Sequence, residues 1–136
     1  MSWDIFVQDI PSAAQSIDDI PDDFRPSHIG SRSRVLEAIR SAAPFVEFRS
    51  DSWASLDAPG VSMEISIRVE EPLKSFAFHI FGGDCSTGLV ADILSRLNLR
   101  AFDPASDSGI FEPSRASESL QRWQEYRDHV LKADNA

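Results

Sequence analysis

The chain has 136 residues, enough to bury a real core in one domain, and its 42% hydrophobic and 26% charged content is that of an ordinary globular protein. Its 13 basic residues against 22 acidic ones leave a formal charge of −9, which disfavours nucleic acid or an anionic membrane surface as a partner and allows a basic protein. The lone Cys85 excludes an internal disulfide, no stretch approaches the ~20 apolar residues of a membrane span, and Met1-Ser2-Trp3-Asp4 lacks signal-peptide character, so the cytoplasm is the expected compartment.

Trp3 to Gln8 sets Trp3, Ile5 and Val7 on one side, which predicts a first strand; Phe6 interrupts the polar side. Residues 11–30 carry Pro11, Pro21 and Pro26 with Asp18, Asp19, Asp22 and Asp23. They predict a long irregular connection with one helical turn near Ala13, pinned by Ile17, Ile20 and Phe24. Ser31 or Ser33 caps a helix running to about Ala43, ended by Pro44, with Val35, Leu36, Ile39 and Ala42 on its apolar face. Phe45–Phe48 and Ser52–Leu56 are short strand candidates, and Asp57-Ala58-Pro59-Gly60 turns the chain onward.

From Val61 to Val69 apolar residues alternate strictly with Ser62, Glu64, Ser66 and Arg68, the pattern of a strand with one dry and one wet face. After Glu70-Glu71-Pro72, Leu73–Phe81 sets Phe76, Phe78 and Ile80 against Ser75, Ala77 and His79. A turn centred on Glu71-Pro72 places Ile65 opposite Phe78 and Glu64 opposite His79, and a one-residue slip would set apolar against polar positions. Gly82-Gly83-Asp84 opens a helix with Leu89, Val90, Ile93, Leu94 and Leu97 as its stripe and Asp84 as the expected N-cap. Asn98 is a plausible C-cap, Leu99–Phe102 a last short strand, and Asp103–Pro113 a loop. A final helix from about Ser117 to Lys132 carries Leu120, Trp123, Val130 and Leu131.

The opening Ser-Trp-Asp-Ile-Phe-Val-Gln-Asp resembles that of a family of small, uncharacterised bacterial proteins. So do Ile20-Pro21-Asp22-Asp23-Phe24, Ile29-Gly30-Ser31-Arg32, and Phe76-Ala77-Phe78-His79 with Gly82-Gly83-Asp84. The likeness runs to about Phe111 and leaves the last helix outside it. It implies a free-standing bacterial domain and transfers no catalytic residue.

Candidate sites are few. Glu64 beside His79 can act as an acid–base pair or merely as a cross-strand pair on a wet face. Arg25, Ser31, Arg32, Ser33 and Arg34 form a locally basic patch ending at a helix N-terminus, suited to phosphate or carboxylate, or to neutralising Asp18–Asp23 just upstream. The Gly82-Gly83 turn can admit an anion, but it is neither a dinucleotide fingerprint nor a P-loop. Cys85 in the first turn of the following helix is expected to be a small packed thiol. His28, His79 and His129 lie on three elements without ligand spacing, so neither metal nor cofactor is expected.

The element order predicts an α+β two-layer sandwich: a mainly antiparallel sheet, helices 31–43 and 86–97 on one face, and a C-terminal helix. One domain spans residues 1–136, with a core in 1–112 and a helical extension over about 114–133. The expected function is non-enzymatic: an acidic protein-interaction domain, adaptor or immunity/inhibitor-like, using Asp18, Asp19, Asp22, Asp23, Glu64 and His79 toward a basic protein. The alternative is a small-ligand or enzymatic domain built on Arg25–Arg34 or the Gly82-Gly83 turn.

Overall fold

A computed structural model describes residues 2–134. The alternating stretch folds as the hairpin β4 (Val61–Ile67) and β5 (Ser75–Gly82), with Ile65 opposite Phe78, Ile67 opposite Phe76 and Glu64 opposite His79. The register shifts between Ser62 and Met63, so Met63 pairs with Ile80 while Ser62 pairs with Gly82. That bulge leaves Phe81 outside the ladder, and its carbonyl accepts a hydrogen bond from Arg127 at 3.3 Å. β5 starts and ends later than the apolar run suggests, because Leu73 bridges to Gly30 instead of extending the hairpin.

The remaining strands complete one antiparallel sheet in the order β2-β3-β4-β5-β1-β6. β3 (Trp53–Ala58) lies beside β4 and short β2 (Glu47–Phe48) beside β3; β1 (Trp3–Gln8) pairs the other edge of β5, and β6 (Ala101–Phe102) pairs β1. Ile5, Val7, Leu56, Met63, Ile65, Ile67, Phe78 and Ile80 share the dry face and are all buried. Helix α1 (Arg32–Ala42) adds Val35 and Ile39 to the same core, and α2 (Ser86–Leu97) adds Val90, Ile93 and Leu97. These are the helices expected to cover one face of an α+β sheet.

Caps explain where the helices begin. The Ser31 hydroxyl accepts the Arg34 N–H, so Ser31 caps α1. Asp84 does not cap α2: Cys85 holds the N-cap position and no side chain bonds there. The cause is backbone packing. Gly83 has φ +93°, and a Cβ on it would lie 2.5 Å from the Gly60 carbonyl oxygen, while Cys85 N–H donates to that carbonyl at 2.7 Å. The two turns are locked together, which delays the helix by a residue. Asn98 ends α2 in the left-handed region, at φ 52°.

The 11–30 connection has its helical turn at Ile17–Asp19 rather than near Ala13. Ile17 is 49% exposed, yet its side chain lies against Gly109 and its N–H donates to the Ser108 carbonyl at 2.9 Å, and Ile20 packs on a cluster of Ile10, Ala14 and Ile110. Arg100 adds bonds to the Pro11 and Ala14 carbonyls at 2.7 Å each. Helix α3 (Ala116–Asp134) buries Leu120 and Trp123 in the same apolar cluster as Trp3 and the sheet. Trp3 donates its Nε1–H to buried Asp103 at 2.7 Å. Burial pushes the Asp103 carboxyl above the usual carboxylate range, outweighing the bonds from Trp3 and the Ala105 amide that pull it down.

Candidate functional site

Helices α1 and α2 and the core lie on one face of the sheet, so the other face carries the exposed chemistry. Strand pairing sorts its side chains into rows. One row runs Glu47, Ser55, Glu64, His79, Asp4 across β2, β3, β4, β5 and β1. The next runs Trp53, Ser66, Ala77, Phe6, Phe102. A carboxylate-rich row thus lies against an aromatic one, and Trp53 and Phe6 remain 44% and 43% exposed. Ala77 is too small to fill the space between them. A hollow of about 590 Å³ opens there, lined by Phe6, Trp53, Ser66 and Ala77, with Gln8 and Arg68 among its polar walls.

The expected side-chain partner of His79 is replaced by another. Glu64 sits opposite His79 in the ladder, yet the carboxylate bonded to the imidazole belongs to Asp4 on the other neighbouring strand. Nδ1 of His79 lies 2.8 Å from Asp4 Oδ1, and Nε2 lies 2.9 Å from Ser66 Oγ. An ionised carboxylate can only accept, so Nδ1 carries a proton, and in the neutral imidazole the Nε2 lone pair receives the Ser66 hydroxyl. The Ser2 hydroxyl also donates to Asp4 Oδ1 at 2.5 Å. The Trp53 ring sits 5.6 Å from the imidazole and shields it, leaving the His79 side chain 21% exposed. Carboxylate, imidazole and hydroxyl are therefore connected in a line, with the hydroxyl facing the hollow.

The basic patch is arranged differently from an open anion site. The backbone N–H of Arg32 points at the Glu71 carboxylate, 3.2 Å from each oxygen, so the chain supplies its own anion at the α1 N-terminus. Arg32 also donates to the Asp51 carbonyl, and Arg34 to the Leu97 carbonyl at the end of α2. Ser31 and Ser33 bond one another at 3.2 Å, and among the described residues Arg25 reaches only the Phe24 carbonyl. Among the described residues no ion pair joins these arginines to Asp18, Asp19, Asp22 or Asp23.

Asp18, Asp22 and Asp23 are exposed, whereas the Asp19 carboxylate accepts from Gln15 and Ser16 in a capping box and is structural. At the Gly82-Gly83 turn the Ser86 hydroxyl donates to the Gly82 carbonyl at 2.7 Å, and Gly83 packs on Gly60. Cys85 is exposed rather than packed, because its N–H bond to Gly60 holds it outside the helix stripe. Near α3, the hydrogen bond and then the charge of Arg122 hold the Asp107 carboxyl below its ordinary range.

Asp4 and Ser66 are the site residues that the sequence pattern does not single out. The alternation puts Ser66 on the wet face, one step diagonal from His79, but nothing local announces that β1 brings Asp4 to the other side. Among the described residues no group of three or more His, Cys, Asp or Glu side chains could hold a metal ion, and no helix is long and apolar enough to cross a membrane. Comparison with protein-family models, with curated proteins and with solved structures gave no match.

Proposed function

We propose that the chain is an acidic protein-interaction domain, adaptor- or inhibitor-like, whose open sheet face receives a basic segment of a partner protein. The observation that carries this reading is the carboxylate row lying directly against exposed aromatics. Asp4 is engaged by His79, and Glu47 lies 3.6 Å from Arg49, whereas Glu64 has no side-chain partner among the described residues. Trp53 is its diagonal neighbour across β3 and β4. A guanidinium seated there would stack on the indole and pair with Glu64, two recognitions that one cation satisfies together. Asp18, Asp22 and Asp23, with the −9 overall charge, add a long-range field that speeds encounter with a basic surface.

The test uses a synthetic peptide of alternating arginine and leucine, titrated into 15N-labelled protein. Amide shifts should centre on Trp53, Ser55, Glu64 and His79, and Glu64→Gln and Trp53→Ala should each weaken binding severalfold, about 0.5–1 kcal/mol. Rising salt should slow association. Shifts centred on residues 18–23 instead, or an affinity indifferent to both substitutions, would refute the reading.

A further inference from the structure

The Asp4–His79–Ser66 line has a chemical consequence that a binding surface does not require. We propose that it makes Ser66 an acyl-accepting nucleophile, and that the hollow beside it takes the ester of a small apolar or aromatic acid. This does not depend on the binding of a basic segment. The three roles follow from the geometry. Asp4 holds Nδ1–H at 2.8 Å and fixes the ring and its tautomer. That leaves the Nε2 lone pair on the Ser66 hydroxyl at 2.9 Å, the contact a general base needs. Ser66 Oγ lines a hollow of about 590 Å³ walled by Phe6, Trp53 and Phe102, a surface for an apolar acyl or aryl group.

The chemistry balances without a co-reactant other than water. The Ser66 hydroxyl proton passes to His79 Nε2 as Oγ bonds to the ester carbonyl carbon. The ester C–O bond then breaks, and the leaving alkoxide or phenoxide takes that proton from the imidazolium. Water attacks the acyl-Ser66 carbonyl while Nε2 accepts its proton, and the acid departs as Oγ is reprotonated. Asp4 exchanges no proton.

One feature limits the rate. Ser66 lies mid-strand, paired with Trp53 on one side and Ala77 on the other, so its neighbours' backbone N–H groups are committed to the ladder. The developing oxyanion must rely on side-chain donors, of which Gln8 and Arg68 line the same hollow. A missing oxyanion donor costs on the order of 100–1,000-fold and slows acylation and deacylation alike, so acylation should outpace release only with an activated ester whose leaving group departs readily.

The experiment treats the whole protein, carrying Cys85→Ser because the exposed thiol would itself react, with p-nitrophenyl acetate at neutral pH. Nitrophenolate release and mass spectrometry of the digest are followed together. A burst approaching one equivalent with the acetyl group on Ser66 is expected. Ser66→Ala should abolish it, and His79→Ala and Asp4→Asn should slow it on the order of 100-fold or more, with circular dichroism unchanged in all three. If the triplet only satisfies a half-buried imidazole, Ser66 carries no acetyl group. Release that persists in Ser66→Ala, or label found on a lysine or on His79 instead, overturns the proposal.

Discussion

Phe78→Ala probes the sheet at its centre. The Phe78 side chain is fully buried, flanked in register by Ile65 on β4 and Ile5 on β1. Its ring meets Phe76 edge-on, with centroids 5.4 Å apart at 64°. Truncation removes the transfer free energy of the ring and leaves a void that neighbouring strands, hydrogen-bonded on both sides, cannot close. Phenylalanine-to-alanine changes at such sites cost about 3–5 kcal/mol, and the lost edge-to-face contact places this one toward the upper end. At about 3–4 °C per kcal/mol for a domain of this size, the melting temperature should fall by about 12–20 °C. Urea unfolding followed by fluorescence of buried Trp3 and Trp123 measures it, with Glu64→Ala on the open face as a control expected to change stability by under ~1 kcal/mol. A loss below ~1.5 kcal/mol for Phe78→Ala, at unchanged denaturant slope, would mean that the ring is not the keystone drawn here.

Asp103→Asn should flatten part of the pH dependence of stability. Because burial raises the folded-state pKa, the folded protein holds this proton more tightly than the unfolded chain, so the group's contribution falls as pH rises from the ordinary carboxylate value through the raised one. The variant keeps the acceptor for Trp3 and Ala105, and its stability relative to the native protein should grow across that window and then level off; a pH-independent difference, read from melts at stepped pH, would contradict this. Gly83→Ala should destabilise by over ~1 kcal/mol, since φ +93° and the 2.5 Å approach to the Gly60 carbonyl leave no room for a Cβ. Thermal melts check it, and an unchanged melting temperature would refute the packing argument.

The central hairpin was legible in the sequence because both its determinants are local: period-two alternation and a short Pro-containing break. The α1 start was legible for a similar reason, since Ser31 needs only its own next turn to act as a cap. What was not legible depended on partners far along the chain. Asp4 and His79 are 75 positions apart, and only the placement of β1 beside β5 joins them. Glu71 reaches Arg32 from 39 positions away and turns an apparent anion site into an internal contact. Asp84 has the chemistry of an N-cap, but the Gly60–Gly83 backbone contact decides where α2 begins. Residue type indicated what each position could do, and the topology selected which partner it met.

The same logic separates the two activities proposed for the open face. Recognition of a basic segment would rest on Glu64 and Trp53, which lie toward β3. The proposed nucleophile would rest on Ser66 and Asp4, joined through His79. Glu64 makes no bond in that line, and Ser66 offers a cation no charge, so Glu64→Gln and Ser66→Ala report on different physics although both lie on β4. His79 belongs to both, as a member of the carboxylate row and as the base for Ser66. Trp53 touches both as well, because its ring shields the imidazole at 5.6 Å. A guanidinium paired with Glu64 would place a positive charge beside the imidazole and oppose its taking a second proton, the event that activates Ser66. A basic partner seated on this face would therefore restrain the nucleophile next to it. The acidic row and the Ser66 hydroxyl would thus be coupled through one ring.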